Sequence, residues 1–378
     1  MFFTLRHRPD LRLVPSSVGA ISEFFPNTRL LILTLHDLNG VSRISWFDLY
    51  NKITECIREH RIELVVIDRT GEPKTIDEPE HFGPNDITIA DSLRSVCPTV
   101  IATDDYSYHV RPRANVICFP YNIWLLASRS VAKYENFHGN GYDTGLPKIR
   151  PLMCLNRKLH WHRIFLYLQL RTRSWLKQVD FSFILGNDRM DIDFLLRDLR
   201  QDEIDQMHAI STELPIVLAE EQVSDTANFV ANGSTQHWTS VNLPVYNRTA
   251  MNLVTETSLN HGVLLTEKAV KPIMAYQIPV IIAAPGANAW LQSLGLDLFA
   301  DFVPWADWDH LADQREKILR IVSWLDHVME DPEQIITFHR QCHARLRTNK
   351  SWFHSPQFVS QLEQPIRAYA QSISSTSA

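Results

Sequence analysis

Residues 252–285 decide the fold that we expect for this chain, and they read NLVTETSLNHGVLLTEKAVKPIMAYQIPVIIAAP. An apolar run that ends at Thr255 predicts one buried strand, and residues 278–284 predict a second. Between them, an amphipathic run from Thr266 to Ala275 predicts a helix. Charged residues collect in the loop and at the helix start, where free N–H groups suit a phosphate. In an open α/β sheet, ligands bind at such strand ends.

The same alternation of strands and helices occurs on both sides of this stretch. Apolar runs predict strands at 29–35, 63–68, 99–102, 116–119, 152–155, 181–185, 215–218 and 302–303. Helical spacing of apolar residues predicts helices at 45–60, 86–96, 162–176, 191–210, 288–294, 309–329 and 332–348. Residues 1–28 leave room for an edge strand. Strands that alternate with helices over short loops indicate parallel sheets with helices on both faces, so we expect an α/β fold.

A stretch rich in glycine and proline at 134–150 interrupts the alternation and predicts a domain linker. We therefore expect two Rossmann-like domains that face a cleft, followed by C-terminal helices. The first domain would occupy residues 1–133 and the second residues 151–348. The remaining segment, 349–378, ends in QSISSTSA, a low-complexity tail that we expect to be disordered.

Length and composition limit the class of protein. The 378 residues suffice for two domains, and a net charge of −6 gives no sign of a large nucleic-acid-binding surface. The five cysteines are scattered without a C-x-x-C pair, so we expect buried free thiols in a reducing compartment. The sequence has neither a signal-peptide core nor an apolar run long enough for a transmembrane segment, which favours a soluble cytoplasmic protein.

Two short motifs within the opening stretch carry a family resemblance. Glu256-Thr257-Ser258 is followed by Thr266-Glu267-Lys268, and the two glutamates lie eleven positions apart. This pattern resembles the donor-binding signature of the α-1,3-fucosyltransferase family, which has a Glu-Asn-Ser element followed by a Thr-Glu-Lys element at the same interval. The match is confined to 252–285, and a threonine replaces the usual asparagine.

The resemblance implies an inverting, metal-independent glycosyltransferase of the GT-B architecture, with a nucleoside-diphosphate sugar as co-substrate and no further cofactor. It does not imply fucose. By the same resemblance, Glu267 would bind the ribose hydroxyls of the donor and Lys268 would neutralise its diphosphate, as the chemistry of a carboxylate and an ammonium allows. The other implied donor-binding residues of this stretch are Glu256, Ser258 and Thr266. The ordinary alternative for Glu267 and Lys268 is a first helical turn in solvent, where the helix dipole also favours a glutamate.

A second cluster of charged residues, NRKLHWHR at 156–163, lies at the junction between a predicted strand and a helix. A leaving diphosphate needs cations and N–H groups around it, so we expect Arg157, and next Arg163, to bind the diphosphate. A basic helix start in solvent is the ordinary alternative. Two histidine pairs elsewhere do not predict metal sites: His160 and His162 point apart on a helix, and His339 with His343 should form a solvated face.

An inverting transfer also needs a general base for the acceptor hydroxyl. The preferred candidates are His36, Asp37 and Asp104, which follow predicted strands of the first domain. Three other carboxylates that follow predicted strands remain candidates for the base: Asp68, Glu72 and Asp105. A helix cap or an Asx-turn is the ordinary role of any one of them.

The resemblance thus implies a nucleotide-sugar-dependent glycosyltransferase. Its acceptor could be a glycan, a small molecule or a hydroxymethylated base in DNA, and the acidic balance disfavours DNA. The alternative from a different class is a non-catalytic two-domain protein that binds a sugar or a nucleotide. Ligand binding without turnover would distinguish that alternative.

Overall fold

A computed structural model describes most of the second half of the chain and part of the first. The described residues are 5–6, 21, 24–25, 28–34, 46–69, 86–103, 116–120, 123, 147–156, 160–183, 199–210, 213–214, 216–218, 244–257, 259 and 264–376. The chain divides into two compact units. Unit 1 comprises Met1–Trp124, His261–Leu264 and Val359–Ala378, and unit 2 comprises Leu125–Asn260 and Leu265–Phe358.

Unit 1 contains a five-stranded sheet with the order β1-β2-β3-β4-β5. The strands are β1 (Leu5–Arg6), β2 (Leu30–Thr34), β3 (Leu64–Arg69), β4 (Thr99–Thr103) and β5 (Val116–Cys118). Strands β2 to β5 are parallel, and β1 pairs antiparallel at the edge, which confirms the edge strand expected within residues 1–28. Helix α1 (Trp46–Glu59) connects β2 to β3, and α2 (Asp86–Arg94) connects β3 to β4.

Unit 2 contains a four-stranded parallel sheet with the order β7-β6-β8-β9. The strands are β6 (Arg150–Asn156), β7 (Asp180–Phe183), β8 (Thr249–Thr255) and β9 (Ile278–Ile282). The helices between them are α3 (Trp161–Leu170), α4 (Gln201–Ala209), α5 (Pro244–Arg248) and α6 (Glu267–Met274), with a short 3₁₀ helix at Ser174–Gln178. All residues of β8 and β9 are buried, because a parallel sheet is covered on both faces.

The remaining helices follow β9. They are α7 (Ala287–Ser293), α8 (Ala306–Asp309), α9 (Gln314–Val328), α10 (Pro332–Gln341), α11 (His343–Phe353) and α12 (Pro356–Thr376). Helix α12 begins in unit 2 and continues in unit 1. Over the residues that the structure describes, no helix combines the length and the apolar character needed to cross a bilayer.

The strand order of unit 2 contains a point of reversal. From β6, the chain first forms β7 on one side and later β8 on the other side. The carboxyl ends of β6 and β8 therefore flank the point where the strand order reverses, which is the usual ligand crevice of an open α/β sheet. The α/β class is confirmed, and two largely parallel sheets are compatible with two Rossmann-like domains.

The end of the chain differs from our expectation. We expect disorder at 371–378, but α12 continues to Thr376. The expectation is therefore wrong for residues 371–376. Phe358, Leu362 and Ile366 recur every fourth residue and are buried, which holds the preceding turns in place. Once those turns exist, each added residue gains a hydrogen bond at a low entropic cost, and the helix extends into the polar tail.

Two of the predicted strands are not formed as expected. Phe299 has a positive φ of 57°, and its carbonyl accepts the N–H groups of Phe302 and Val303 at 2.9 and 2.8 Å. Those N–H groups close a turn, so the predicted strand at 302–303 is wrong. At 216–218, the described residues contribute one antiparallel bridge, from Ile216 to Phe183, in place of a full strand.

Two glycines have the same backbone conformation but different surroundings. They allow the effect of side-chain packing on stability to be separated from the effect of backbone strain. Gly295 has a φ of 85°, and a Cβ there would lie 2.8 Å from Nε1 of Trp352. That nitrogen donates to the carbonyl of Leu294 at 2.7 Å, so the indole cannot move away without losing the bond. Gly286 also has a φ of 85°, but a Cβ there would have no neighbour within 4 Å.

We expect Gly286→Ala to lower the free energy of unfolding by about 1 kcal/mol, from backbone strain alone. Gly295→Ala should lower it by about 1–2 kcal/mol more, because the new methyl group also displaces the indole. Urea denaturation of both variants measures the difference. Equal losses would show that the indole adapts without cost.

Candidate functional site

The site is built on the ends of two adjacent strands of unit 2. Asn156 ends β6 and Thr255 ends β8, and both side chains are buried. Thr255 Oγ1 donates to Asn156 Oδ1 at 2.5 Å, and Asn156 Nδ2 donates to the sulfur of Cys154 at 3.3 Å. These bonds join the two strand ends that flank the crevice. The sequence does not predict this pairing, although each polar residue closes an apolar run.

Helix α3 contributes two buried side chains to the end of β8. Arg163 Nε donates to Thr255 Oγ1, and its Nη2 donates to the Thr255 carbonyl, both at 3.1 Å. His162 Nε2 lies 2.9 Å from the carbonyl of Glu256. A carbonyl only accepts, so Nε2 carries the proton. Burial lowers the pKa of His162 well below its usual value, so the ring is neutral.

The charge of Arg163 is retained in spite of its burial. Burial lowers its pKa to about 10, and the nearby carboxylates of Glu256 and Glu267 oppose that change. At neutral pH the guanidinium is therefore a buried cation close to two acidic side chains. Its hydrogen bonds to β8 hold the helix start against the strand end.

Glu256 joins the end of β8 to the start of α6. Its side chain is fully buried, with 0% exposed. Oε1 accepts the backbone N–H of Thr266 at 2.9 Å, and Oε2 accepts the Thr266 hydroxyl at 2.6 Å. The backbone N–H of Glu256 donates to Ile282 in β9 at 2.9 Å. The carboxylate thus closes the ten-residue interval between strand and helix, using both of its oxygens.

Thr266, the first residue of the predicted amphipathic run, is the N-cap of α6. Its backbone is extended, with φ −111° and ψ −174°, and its Oγ1 accepts the backbone N–H of Lys268 at 3.4 Å. The same oxygen accepts from Lys268 Nζ at 2.9 Å. One hydroxyl therefore contacts the Glu256 carboxylate, the helix backbone and the Lys268 ammonium.

Glu267 and Lys268 form an ion pair on the first turn of α6. Lys268 Nζ lies 3.3 Å from Glu267 Oε1 and also donates to Thr257 Oγ1 at 3.2 Å. The side chains are 12% and 30% exposed, respectively. Burial raises the pKa of Glu267, but the charges of Lys268 and Lys271 outweigh it, and the pKa lies below its usual value. A carboxylate and an ammonium thus reach solvent beside a helix N-terminus.

The structure brings together Arg163, Glu256, Thr266, Glu267 and Lys268 from the predicted set. Five other predicted site residues lie outside the described residues, and their roles stay predictions: His36, Asp37, Asp104, Arg157 and Ser258. Two of the remaining open base candidates, Glu72 and Asp105, also lie outside. The third, Asp68, is described and is buried at the carboxyl end of β3.

The opposite end of α6 is held by two other buried side chains. Lys148 Nζ donates to the carbonyls of Tyr246 and Ala275 at 2.8 and 3.4 Å, and burial lowers its pKa to about 8. His339 Nε2 lies 2.8 Å from the Tyr276 carbonyl. We expect a solvated His339, but the ring is buried, because its face of α10 packs on the sheet. That expectation is wrong.

Comparison with known proteins adds nothing to this geometry, since no protein-family model and no curated protein matches the sequence. Across the described ranges, three or more His, Cys, Asp or Glu side chains do not gather where a metal ion could be held. A fold of this class supports many activities, so the fold alone does not identify a function.

Thr266→Val should lower the free energy of unfolding by about 2 kcal/mol, because it removes the helix cap and one of two donors to a buried carboxylate. Thr266→Ser keeps the hydroxyl and should lose less than about 1 kcal/mol. Chemical denaturation measures both variants. If the serine variant is as unstable as the valine variant, the methyl group contributes as much as the hydroxyl, which contradicts the leading role of the hydroxyl.

The buried His339 should make stability depend on pH. Its pKa is lowered to about 4 in the folded protein, against about 6.5 in the unfolded chain, because burial disfavours the charged ring. The unfolded chain therefore takes up the proton first, and stability falls as the pH falls below 6.5. The expected loss from this group is about 2 kcal/mol between pH 7 and pH 5.

His339→Gln keeps a donor for the Tyr276 carbonyl and does not titrate, so its stability should fall by about 2 kcal/mol less over that interval. His327→Gln is the matched control, because His327 is 79% exposed. Urea denaturation at pH 7 and pH 5 measures both. Equal pH dependence in the two variants would contradict a neutral, buried His339.

Proposed function

We propose that the protein is a glycosyltransferase of the GT-B architecture that uses a nucleoside-diphosphate sugar. The observation that carries the proposal is the Glu267–Lys268 pair, which reaches solvent on the first turn of α6. The pair lies beside the strand ends where the order of the sheet reverses. A carboxylate beside an ammonium matches the two parts of a nucleoside diphosphate, namely a ribose diol and a diphosphate.

Donor binding would use the charges and the helix start together. Glu267 would accept the two ribose hydroxyl protons, and its lowered pKa keeps it ionised for that role. Lys268 would hold the diphosphate, which the positive end of the helix dipole also favours. Arg157 would be a second cation, and Arg163 would add its charge from beneath the strand end.

The reaction would follow from this arrangement. An acceptor hydroxyl attacks the anomeric carbon on the face opposite the diphosphate, while a base takes its proton. The bond from the anomeric carbon to the phosphate oxygen breaks, and the nucleoside diphosphate leaves with the electron pair. Cations and N–H groups would stabilise that leaving charge. His36, Asp37 or Asp104 would supply the base from unit 1, and the acceptor would be a glycan, a small molecule or a modified DNA base.

A screen of nucleoside-diphosphate sugars tests the activity, with released nucleotide as the first measurement and the mass of the product as the second. Lys268→Ala should weaken nucleoside-diphosphate binding at least about tenfold, because a charge-assisted contact is lost. Lys268→Arg should retain part of the affinity. Lys177→Ala is the matched control, because this exposed lysine precedes β7 at the opposite edge of the sheet.

The outcomes separate the two classes of protein. Sugar transfer that Lys268→Ala abolishes would support the transferase. Donor binding without turnover on any acceptor would favour the non-catalytic binding protein. If no nucleoside diphosphate binds, or if Lys268→Ala binds it as the unsubstituted protein does, the proposal is wrong.

A further inference from the structure

We infer that Glu256 is a positioning residue that orients Lys268 through the hydroxyl of Thr266 and does not touch the donor. The family resemblance implies a donor contact for Glu256, so this inference changes its role. It rests on the proposed function, in which Lys268 binds the diphosphate. The inference also predicts a coupling between Glu256 and Lys268 that can be measured without any ligand.

Burial separates Glu256 from the residues that a donor could reach. Its side chain is 0% exposed, whereas those of Glu267 and Lys268 are 12% and 30% exposed. Both carboxylate oxygens already accept hydrogen bonds from Thr266, at 2.9 and 2.6 Å. A ligand hydroxyl would have to displace a bond within the protein to reach either oxygen. The part of the site that solvent reaches therefore belongs to Glu267 and Lys268.

The direction of the hydrogen bonds connects Glu256 to Lys268. A hydroxyl has one proton and two lone pairs. Because a carboxylate only accepts, the Thr266 proton points to Glu256, and the lone pairs of Oγ1 face the other way. Lys268 Nζ and the Lys268 backbone N–H donate to that oxygen at 2.9 and 3.4 Å. Glu256 thus sets which side of the Thr266 oxygen is open to the ammonium.

The position of Glu256 is itself fixed by three elements. Its N–H donates to Ile282 in β9, its carbonyl accepts from His162 in α3, and its carboxylate holds α6. The next residue, Thr257, gives its Oγ1 to Lys268 Nζ at 3.2 Å. The ammonium is therefore held by two hydroxyls whose positions both depend on residue 256. A side chain that binds a phosphate in one defined geometry needs such hydrogen bonds from the surrounding protein.

A double-mutant cycle on Glu256→Gln and Thr266→Val tests the inference. Glutamine has the same shape but would donate to the Thr266 oxygen, which turns the hydroxyl proton towards the ammonium. The probe is whichever of GDP, UDP, ADP and CDP the unsubstituted protein binds best, with the matching free nucleoside as a second probe. Each single variant should bind the nucleoside diphosphate about tenfold more weakly.

The pattern across variants distinguishes positioning from direct contact. The double variant should bind the nucleoside diphosphate no more weakly than Thr266→Val alone, because both changes break the same chain of bonds. Affinity for the free nucleoside should be unchanged, because the nucleoside lacks the diphosphate that Lys268 binds. A variant that loosened the whole site would bind the nucleoside more weakly as well. Thr266→Ser should restore the affinity, and Glu333→Gln, on the exposed first turn of α10, is the matched control.

If Glu256→Gln costs a further tenfold in the Thr266→Val background, Glu256 contacts the donor and the inference is wrong. Acylation of Lys268, followed by mass spectrometry, supplies the ligand-free measurement. Its rate should rise about fivefold in each single variant and no further in the double variant. An unchanged rate would also overturn the inference. If no nucleoside diphosphate binds, the proposed function fails, while acylation still decides the coupling.

Discussion

The two hydrogen bonds between Glu256 and Thr266 are the contact on which the rest of the site depends. They join the end of β8 to the start of α6 and so fix the position of the helix start relative to the strand end. A buried carboxylate is stable only while its donors remain, because an unpaired charge in the interior is costly. The same requirement that keeps this part of the fold together therefore also keeps the charged turn of α6 in place.

Helix α6 is short, yet polar side chains hold it at both ends. Thr266 caps its N-terminus, and Lys148 donates a hydrogen bond to the backbone carbonyl of Ala275 at its C-terminus. A cation at a helix C-terminus is stabilised by the helix dipole, which offsets part of the cost of burying Lys148. His339 adds a neutral donor at Tyr276. With eight residues and two fixed ends, the helix presents its first turn with little freedom.

The sequence predicts most of the secondary structure, because long apolar runs and helical spacing are strong local signals. The start of α6 follows in the same way from the amphipathic run that begins at Thr266. Local signals do not reveal which way a charged side chain points. Glu256 and Arg163 are bonded to neighbouring segments, which depends on contacts distant in sequence. Likewise, the spacing of His339 and His343 predicts one helix face, whereas His339 lies buried in α10 and His343 begins α11.

Helix α12 has a consequence for the order in which the protein is made. Unit 1 includes residues 1–124 and also residues 359–378, which lie beyond all of unit 2 in the sequence. A ribosome releases the N-terminal segment long before it releases α12, so unit 1 cannot be complete until all of unit 2 has been synthesised. In this chain, the first unit to emerge is therefore the last to be finished, and a protease cut between the two units would not yield it intact.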